Sequence, residues 1–122
     1  MYATVKDFVL RIGELQAIQL TDRDREGVVN ESVLTIALSD STSQIDGYLS
    51  ARYRLPLPTI PQNLTRICCD LTRYRLASMS EVTITDEIIT RYKLSLKELE
   101  DLAAGKISLG IDIEDEQQSD GN

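Results

Sequence analysis

Asp22, Asp24 and Glu26 stand at alternate positions and are followed by Gly27, Val29 and Asn30. Counted from Asp22, oxygen-bearing side chains fall at positions 1, 3, 5 and 9 of an EF-hand-type calcium loop, with glycine at 6 and an apolar residue at 8. Calcium takes about six to eight oxygens, and the glutamate that closes such a loop ordinarily supplies two of them. The closing position here is Val33, and Arg23 and Arg25 interrupt the acids. The segment therefore reads as a turn in which Asp22 and Asp24 bond local backbone and Asn30 caps the next helix. Asp22, Asp24, Glu26 and Asn30 are the candidates for a cation, for a small calcium- or partner-responsive regulator using residues 22–33; no cofactor is expected.

Arg52, Arg54, Arg66, Arg73 and Arg75 crowd a stretch whose one acid is Asp70, a pattern that could meet phosphates. Only Tyr53 and Tyr74 lie among them, too few aromatics for base stacking, and Arg73 and Arg75 fall about 200° apart on a helix. With a net charge of −7, the arginines read as solvated or as intersubunit ion pairs, and double-stranded DNA would pass without tight binding. Cys68 falls on an apolar stripe and Cys69 about 100° around the helix. Neighbouring cysteines cannot staple distant segments, no second ligand pair completes a metal site, and such thiols fit a reducing cytoplasm. Histidine is absent, which removes the usual general base and every Ser-His or Cys-His nucleophile pair. Asp86/Glu87 and Glu98/Asp101 read as helix starts and surface charge. The expectation is a protein that is not an enzyme.

The elements that position these residues are helical. A chain of 122 residues, 42% apolar, 27% charged and 5% aromatic, makes one core built mainly from Leu, Ile, Val and Ala. No run approaches the ~20 apolar residues of a membrane span, and no signal-peptide pattern opens the sequence; neither spanning nor ordinary secretion is expected. Thr4 caps a helix carrying Val5, Phe8, Val9 and Ile12, and Gly13 stops it. Glu14 to Leu20 adds one or two turns with Leu15 and Ile18 inward. Asn30 caps a long helix striped by Leu34, Leu38, Ser41, Ile45, Tyr48 and Arg52, ending near Tyr53 and roughly 36 Å long. Ser41 and Gly47 suggest close approach by a neighbouring helix.

Leu55-Pro56-Leu57-Pro58-Thr59-Ile60-Pro61 is a loop, because each proline pushes its predecessor toward extended backbone. Tyr53, Arg54, Leu55, Pro56, Leu57 and Pro58 are the candidates for a protein contact, Tyr53 as the anchor. Pro61 opens a helix striped by Leu64, Ile67, Cys68, Leu71 and Tyr74 that fades near Ser78. After a β-prone linker at Val82-Thr83-Ile84, Thr85 or Thr83 caps a last helix bearing Ile88, Tyr92, Leu96, Leu99, Leu102 and Ala103, stopped by Gly105. Residues 111–122 hold five acids and no base and read as a disordered tail. The architecture expected is an all-α bundle of about four helices with one long central helix over residues 1–110, a Pro-rich loop and an acidic C-terminal tail over 111–122.

The Met1-Tyr2-Ala3-Thr4 opening, Leu20-Thr21-Asp22-Arg23-Asp24, Ile45-Asp46-Gly47-Tyr48-Leu49-Ser50-Ala51-Arg52-Tyr53, Leu55-Pro56-Leu57-Pro58, Asp70-Leu71-Thr72-Arg73-Tyr74-Arg75-Leu76 and Leu102-Ala103-Ala104-Gly105-Lys106 occur in that order. Over roughly residues 1–110 the chain resembles the Mu-like phage and prophage family of head-tail connectors, the neck adaptors of head completion. The resemblance implies a small helical subunit that docks as a homo-oligomeric ring on the portal protein, extends the DNA channel and receives the next neck or tail protein. It implies residence in the bacterial host cytoplasm during assembly and then in the virion neck, with no catalysis and no site residues to carry over. A long rigid helix suits contacts between ring neighbours, and the Pro-rich loop and the tail suit segments that order on contact.

Overall fold

Thr4 opens the first helix with a reciprocal pair of bonds: its hydroxyl accepts from the Asp7 N–H at 3.0 Å, and its own N–H donates to the Asp7 carboxylate at 2.9 Å. In the computed structural model, which describes residues 1–111, five helices follow: α1 (Val5–Ile12), α2 (Glu14–Thr21), α3 (Glu31–Leu49), α4 (Gln62–Ser78) and α5 (Asp86–Ala103). No strand occurs among the described residues, and Val82-Thr83-Ile84 is irregular. The all-α expectation holds, with Glu14–Thr21 as a helix in its own right.

Gly13 makes the corner between α1 and α2. At φ 97° it closes one helix, donating to the Val9 carbonyl at 2.9 Å, and opens the next, accepting from Ala17 at 3.0 Å. The inward face of α2 is Ala17, Leu20 and Thr21, with Ile18 half-buried. Leu15, expected inside, is 72% exposed, because the corner turns α2 so that its short apolar face is set by the helices it meets.

α3 buries Leu34, Ala37, Leu38, Ser41, Ile45 and Leu49. It ends at Leu49 instead of near Tyr53, at 19 residues, or about 28 Å. Gly47 lowers helix propensity there, and the Ser50 hydroxyl takes up the Gly47 carbonyl at 3.2 Å, a local bond that competes with further helix. Gly47 itself faces open space; the close approach foreseen from small residues occurs only at Ser41, whose Oγ accepts from Thr72 Oγ1 at 2.9 Å across the α3–α4 contact.

Pro61 caps α4 from one position outside it, with ψ 146°. α4 is buried almost all round: Cys69 and Thr72 are inside along with the Leu64, Ile67, Cys68 and Leu71 stripe. Both α3 and α4 pack against all four other helices, while α5 meets only those two. Thr85 caps α5, accepting from the Ile88 N–H at 3.2 Å, and Tyr92 stacks on Tyr74 of α4 with ring centroids 3.9 Å apart. Gly105, at φ 77°, ends α5 where a Cβ would run into the Arg52 guanidinium. The chain then folds back, Leu109 is buried, and Ile111, counted with the tail in the sequence pattern, packs against the core. The rest of the acidic tail, residues 112–122, lies outside the described residues.

Candidate functional site

The Pro-rich segment forms the edge of a groove. Arg54, Pro56, Pro58, Thr59 and Ile60 are exposed, and Leu55 and Leu57 half-buried. Tyr53 is a correction: it is fully buried, and its hydroxyl accepts the Leu109 N–H at 3.0 Å, so it anchors this chain's own core and offers nothing to a partner. The sequence pattern misled because Leu109 returns from 56 residues away. The groove, about 360 Å³, is lined by Leu55, Leu57 and Ile60 together with Met1 and Tyr2.

Tyr2 is fixed at three atoms. Its N–H donates to Thr42 Oγ1 at 3.2 Å, its carbonyl accepts from Thr65 Oγ1 at 2.8 Å, and its hydroxyl donates to the Asp46 carboxylate. Burial first, and then the Asp46 carboxylate, push the Tyr2 hydroxyl well above the usual phenol range. With the one acid engaged, the groove offers apolar contact and shape; Arg54 beside it makes no hydrogen bond or ion pair with any described residue.

Residues 22–30 close on themselves. Both Asp22 carboxylate oxygens are engaged, Oδ1 by the Glu26 N–H at 2.8 Å and Oδ2 by the Gly27 N–H at 2.7 Å. These bonds hold Arg25 at φ 57° and Gly27 at φ 77°. Buried Thr21 donates to the Ala17 carbonyl at 2.8 Å and accepts the Asn30 N–H at 3.0 Å, tying the end of α2 to the start of α3. Asn30 caps α3 through the Val33 N–H at 3.1 Å. Asp24 and Glu26 are exposed and take no side-chain part. Among the described residues no three acids or cysteines are placed to hold a metal ion. The segment is the capping turn that the sequence suggested, with Asp24 left out of it.

Three of these arginines, Arg66, Arg73 and Arg75, bond to other helices of the same chain. Arg66 Nη2 donates to both oxygens of Glu98 at 2.8 and 2.9 Å, and its Nη1 lies 3.8 Å from Asp70 Oδ2. Arg73 grips Glu87 with two bonds, at 2.7 and 2.9 Å, and donates Nε to Gln16 at 2.6 Å. Arg75, on the opposite side of α4, reaches Gln44 of α3 at 2.8 Å. Arg73, and then Arg91, hold the Glu87 carboxyl down to about 2, whereas burial raises that of Asp70, which accepts from Ser95 at 3.1 Å. Arg11, Arg66, Arg73 and Arg91 come together around one cavity of about 330 Å³. Grouping arginines by nearness in sequence missed Arg11 and Arg91. The i, i+7 spacing of Arg66 and Arg73 and the i, i+4 spacing of Glu87 and Arg91 were the available signals. Burial raises both thiols, that of Cys69 to about 12, so neither is a ready nucleophile.

The sequence matches the family described as Bacteriophage Mu, Gp36 over residues 2–122. The chain belongs to the Gp36 family of bacteriophage Mu. Among relatives of this Gp36-family chain, the Mu-like prophage FluMu protein gp36 of Haemophilus influenzae is 40% identical over 88 residues, covering 72% of this chain and 60% of that protein. Gene product J of Escherichia phage Mu is 34% identical over 112 residues, covering 91% of this chain and 77% of that protein. The Gp36-family chain thus matches about 60% of the length of the first relative. The resemblance to Mu-like phage and prophage proteins is established on these grounds, and no helix among the described residues is long and apolar enough to cross a membrane.

Proposed function

We propose that this chain is a structural subunit of the phage head-tail connector, a neck adaptor that docks as a ring on the portal protein and receives the next neck or tail protein, without catalysing a reaction. The observation that carries the reading is membership of a family shared with a Mu prophage protein and a phage Mu gene product. The fold is consistent with it: α3 and α4 form a centre that packs against every other helix, and the Pro-rich segment leaves Arg54, Pro56, Pro58 and Ile60 exposed at an apolar groove. A chain of net charge −7 lets a duplex slide past without the phosphate contacts that create affinity. In this reading the subunit is made in the host cytoplasm and ends in the virion neck.

The test is size-exclusion chromatography with light scattering, on the chain alone and mixed with the portal ring from the same genome. Co-elution at a fixed number of subunits per portal is the expected result. Arg54→Glu combined with Ile60→Asp should abolish it while the thermal melt of the chain stays in place. Absence of co-elution with both empty and DNA-filled portal assemblies would sink the adaptor reading.

A further inference from the structure

Four guanidinium groups from three helices converge on one cavity, and their charge exceeds that of the acids beside them. Arg11 comes from the last turn of α1, Arg66 and Arg73 from one face of α4, and Arg91 from α5; Asp70 and Glu87 share the cavity. Arg66 and Arg73 are held by Glu98, Glu87 and Gln16. Arg91 commits only Nε, to Glu87 at 2.5 Å, and Arg11 makes no hydrogen bond or ion pair with any described residue. Two guanidiniums on the rim therefore keep free N–H donors facing a cavity of about 330 Å³.

The complementary partner is written in the same chain. Asp112, Glu114, Asp115, Glu116 and Asp120 follow the folded part with no base among them. We propose that the arginine cavity of one copy takes the acidic C-terminal segment of a neighbouring copy, with Arg11 and Arg91 binding its carboxylates. Planar guanidinium matches carboxylate with paired N–H bonds, and a cavity of this size admits single side chains. Duplex DNA presents its phosphates on a broad rod that such a recess cannot enclose, and a chain of net −7 repels it.

A neighbouring copy is favoured over the chain's own tail by the place where the tail starts. Leu109 is bonded to the Tyr53 hydroxyl beyond the C-terminal end of α5, whereas Arg91 and Glu87 belong to its N-terminal half. From Arg91 to Ala103 the helix runs about 18 Å, so the chain's own acidic segment would have to double back along α5 to reach Arg91, whereas a neighbouring copy's segment can meet the cavity directly. Cavity and acidic segment are different parts of the sequence, so the contact is head-to-tail and repeats from copy to copy, closing into a ring where the rotation permits. This goes beyond the adaptor proposal and is tested on this chain alone, so either idea can fail without the other.

Sedimentation of the full chain over a concentration series decides it. Wild type should associate as concentration rises, and about 0.5 M salt should suppress the association. Two variants should each stay monomeric: Arg11→Ala with Arg91→Ala, and the neutral tail made by Asp112→Asn, Glu114→Gln, Asp115→Asn, Glu116→Gln and Asp120→Asn. Mixed, they should form a one-to-one pair and no larger species, since one brings the tail and the other the cavity. Arg11→Glu alone, at an exposed unpaired position, repeats the cavity arm should the double variant melt early. Wild type that stays monomeric while the neutral tail lowers its melting temperature would overturn the proposal in favour of the chain's own tail. Equal stabilisation of wild type and tail variant by inorganic phosphate, without association, would overturn it in favour of a simple anion site.

Discussion

Two connections flank α3, and they use their residues in opposite ways. Residues 22–30 are dense in charge, yet Asp22, Thr21 and Asn30 direct their polar atoms at the segment's own backbone and at the helix ends it joins. The Pro-rich connection has little side-chain chemistry, yet its prolines leave Arg54, Pro56, Pro58 and Ile60 outside. Charge density in a sequence therefore marks self-bonding as readily as function. In the adaptor proposal, the residues that the prolines keep outside are the ones offered to a partner.

Replacing Thr21 by Val gives the largest expected effect on that contrast. It keeps the shape but removes the buried hydroxyl that donates to the Ala17 carbonyl and leaves the half-buried Asn30 N–H without its acceptor, and should cost about 2 kcal/mol in denaturant unfolding. Asp22→Ala, which frees two exposed N–H groups, should cost about 1 kcal/mol and leave portal co-elution unchanged; unchanged stability would mean that the turn holds without its carboxylate.

The α4–α5 contact supplies a smaller effect with a defined pH window. Glu87, held down to about 2 from an ordinary 4.5, contributes stability that is complete above pH 4.5 and disappears as pH falls toward 2. Asp70, whose pKa burial raises, acts in the reverse sense, since protonation relieves its burial. Glu87→Gln should therefore flatten the acid-side decline of the melting temperature. The carboxylate is half-exposed, so solvent screening keeps the effect under about 1 kcal/mol. An unaltered decline would assign the acid sensitivity to other carboxylates. The smallest effect on folding belongs to the groove: Arg54→Glu with Ile60→Asp should shift stability by about 0.5 kcal/mol or less, as surface changes do. A large loss would place those side chains in the fold and remove the contrast with residues 22–30.

Helix ends were legible in the sequence because caps are local. Thr4, Asn30 and Thr85 accept from residues three positions on, and Gly13 and Gly105 take backbone angles that a side chain resists. The outward turn of Leu15, the open space at Gly47 and the burial of Tyr53 were not legible, because each is decided by segments far along the chain. The same holds for the arginines: Arg73 finds Glu87 across the α4–α5 contact, and Gln16 from 57 residues earlier. Of the contact candidates, Arg54, Pro56 and Pro58 are exposed, while Leu55 and Leu57 are half-buried and line the groove together with Pro56.

The bond from the Leu109 N–H to the Tyr53 hydroxyl also governs how load enters the molecule. Tension applied beyond Ile111 reaches this clasp before it reaches the last turn of α5. Part of the pull is diverted to the end of α3, just ahead of the Pro-rich segment. A tug on the C-terminus is thus shared by two helices at one pole, and α5 is shielded from being peeled from its end.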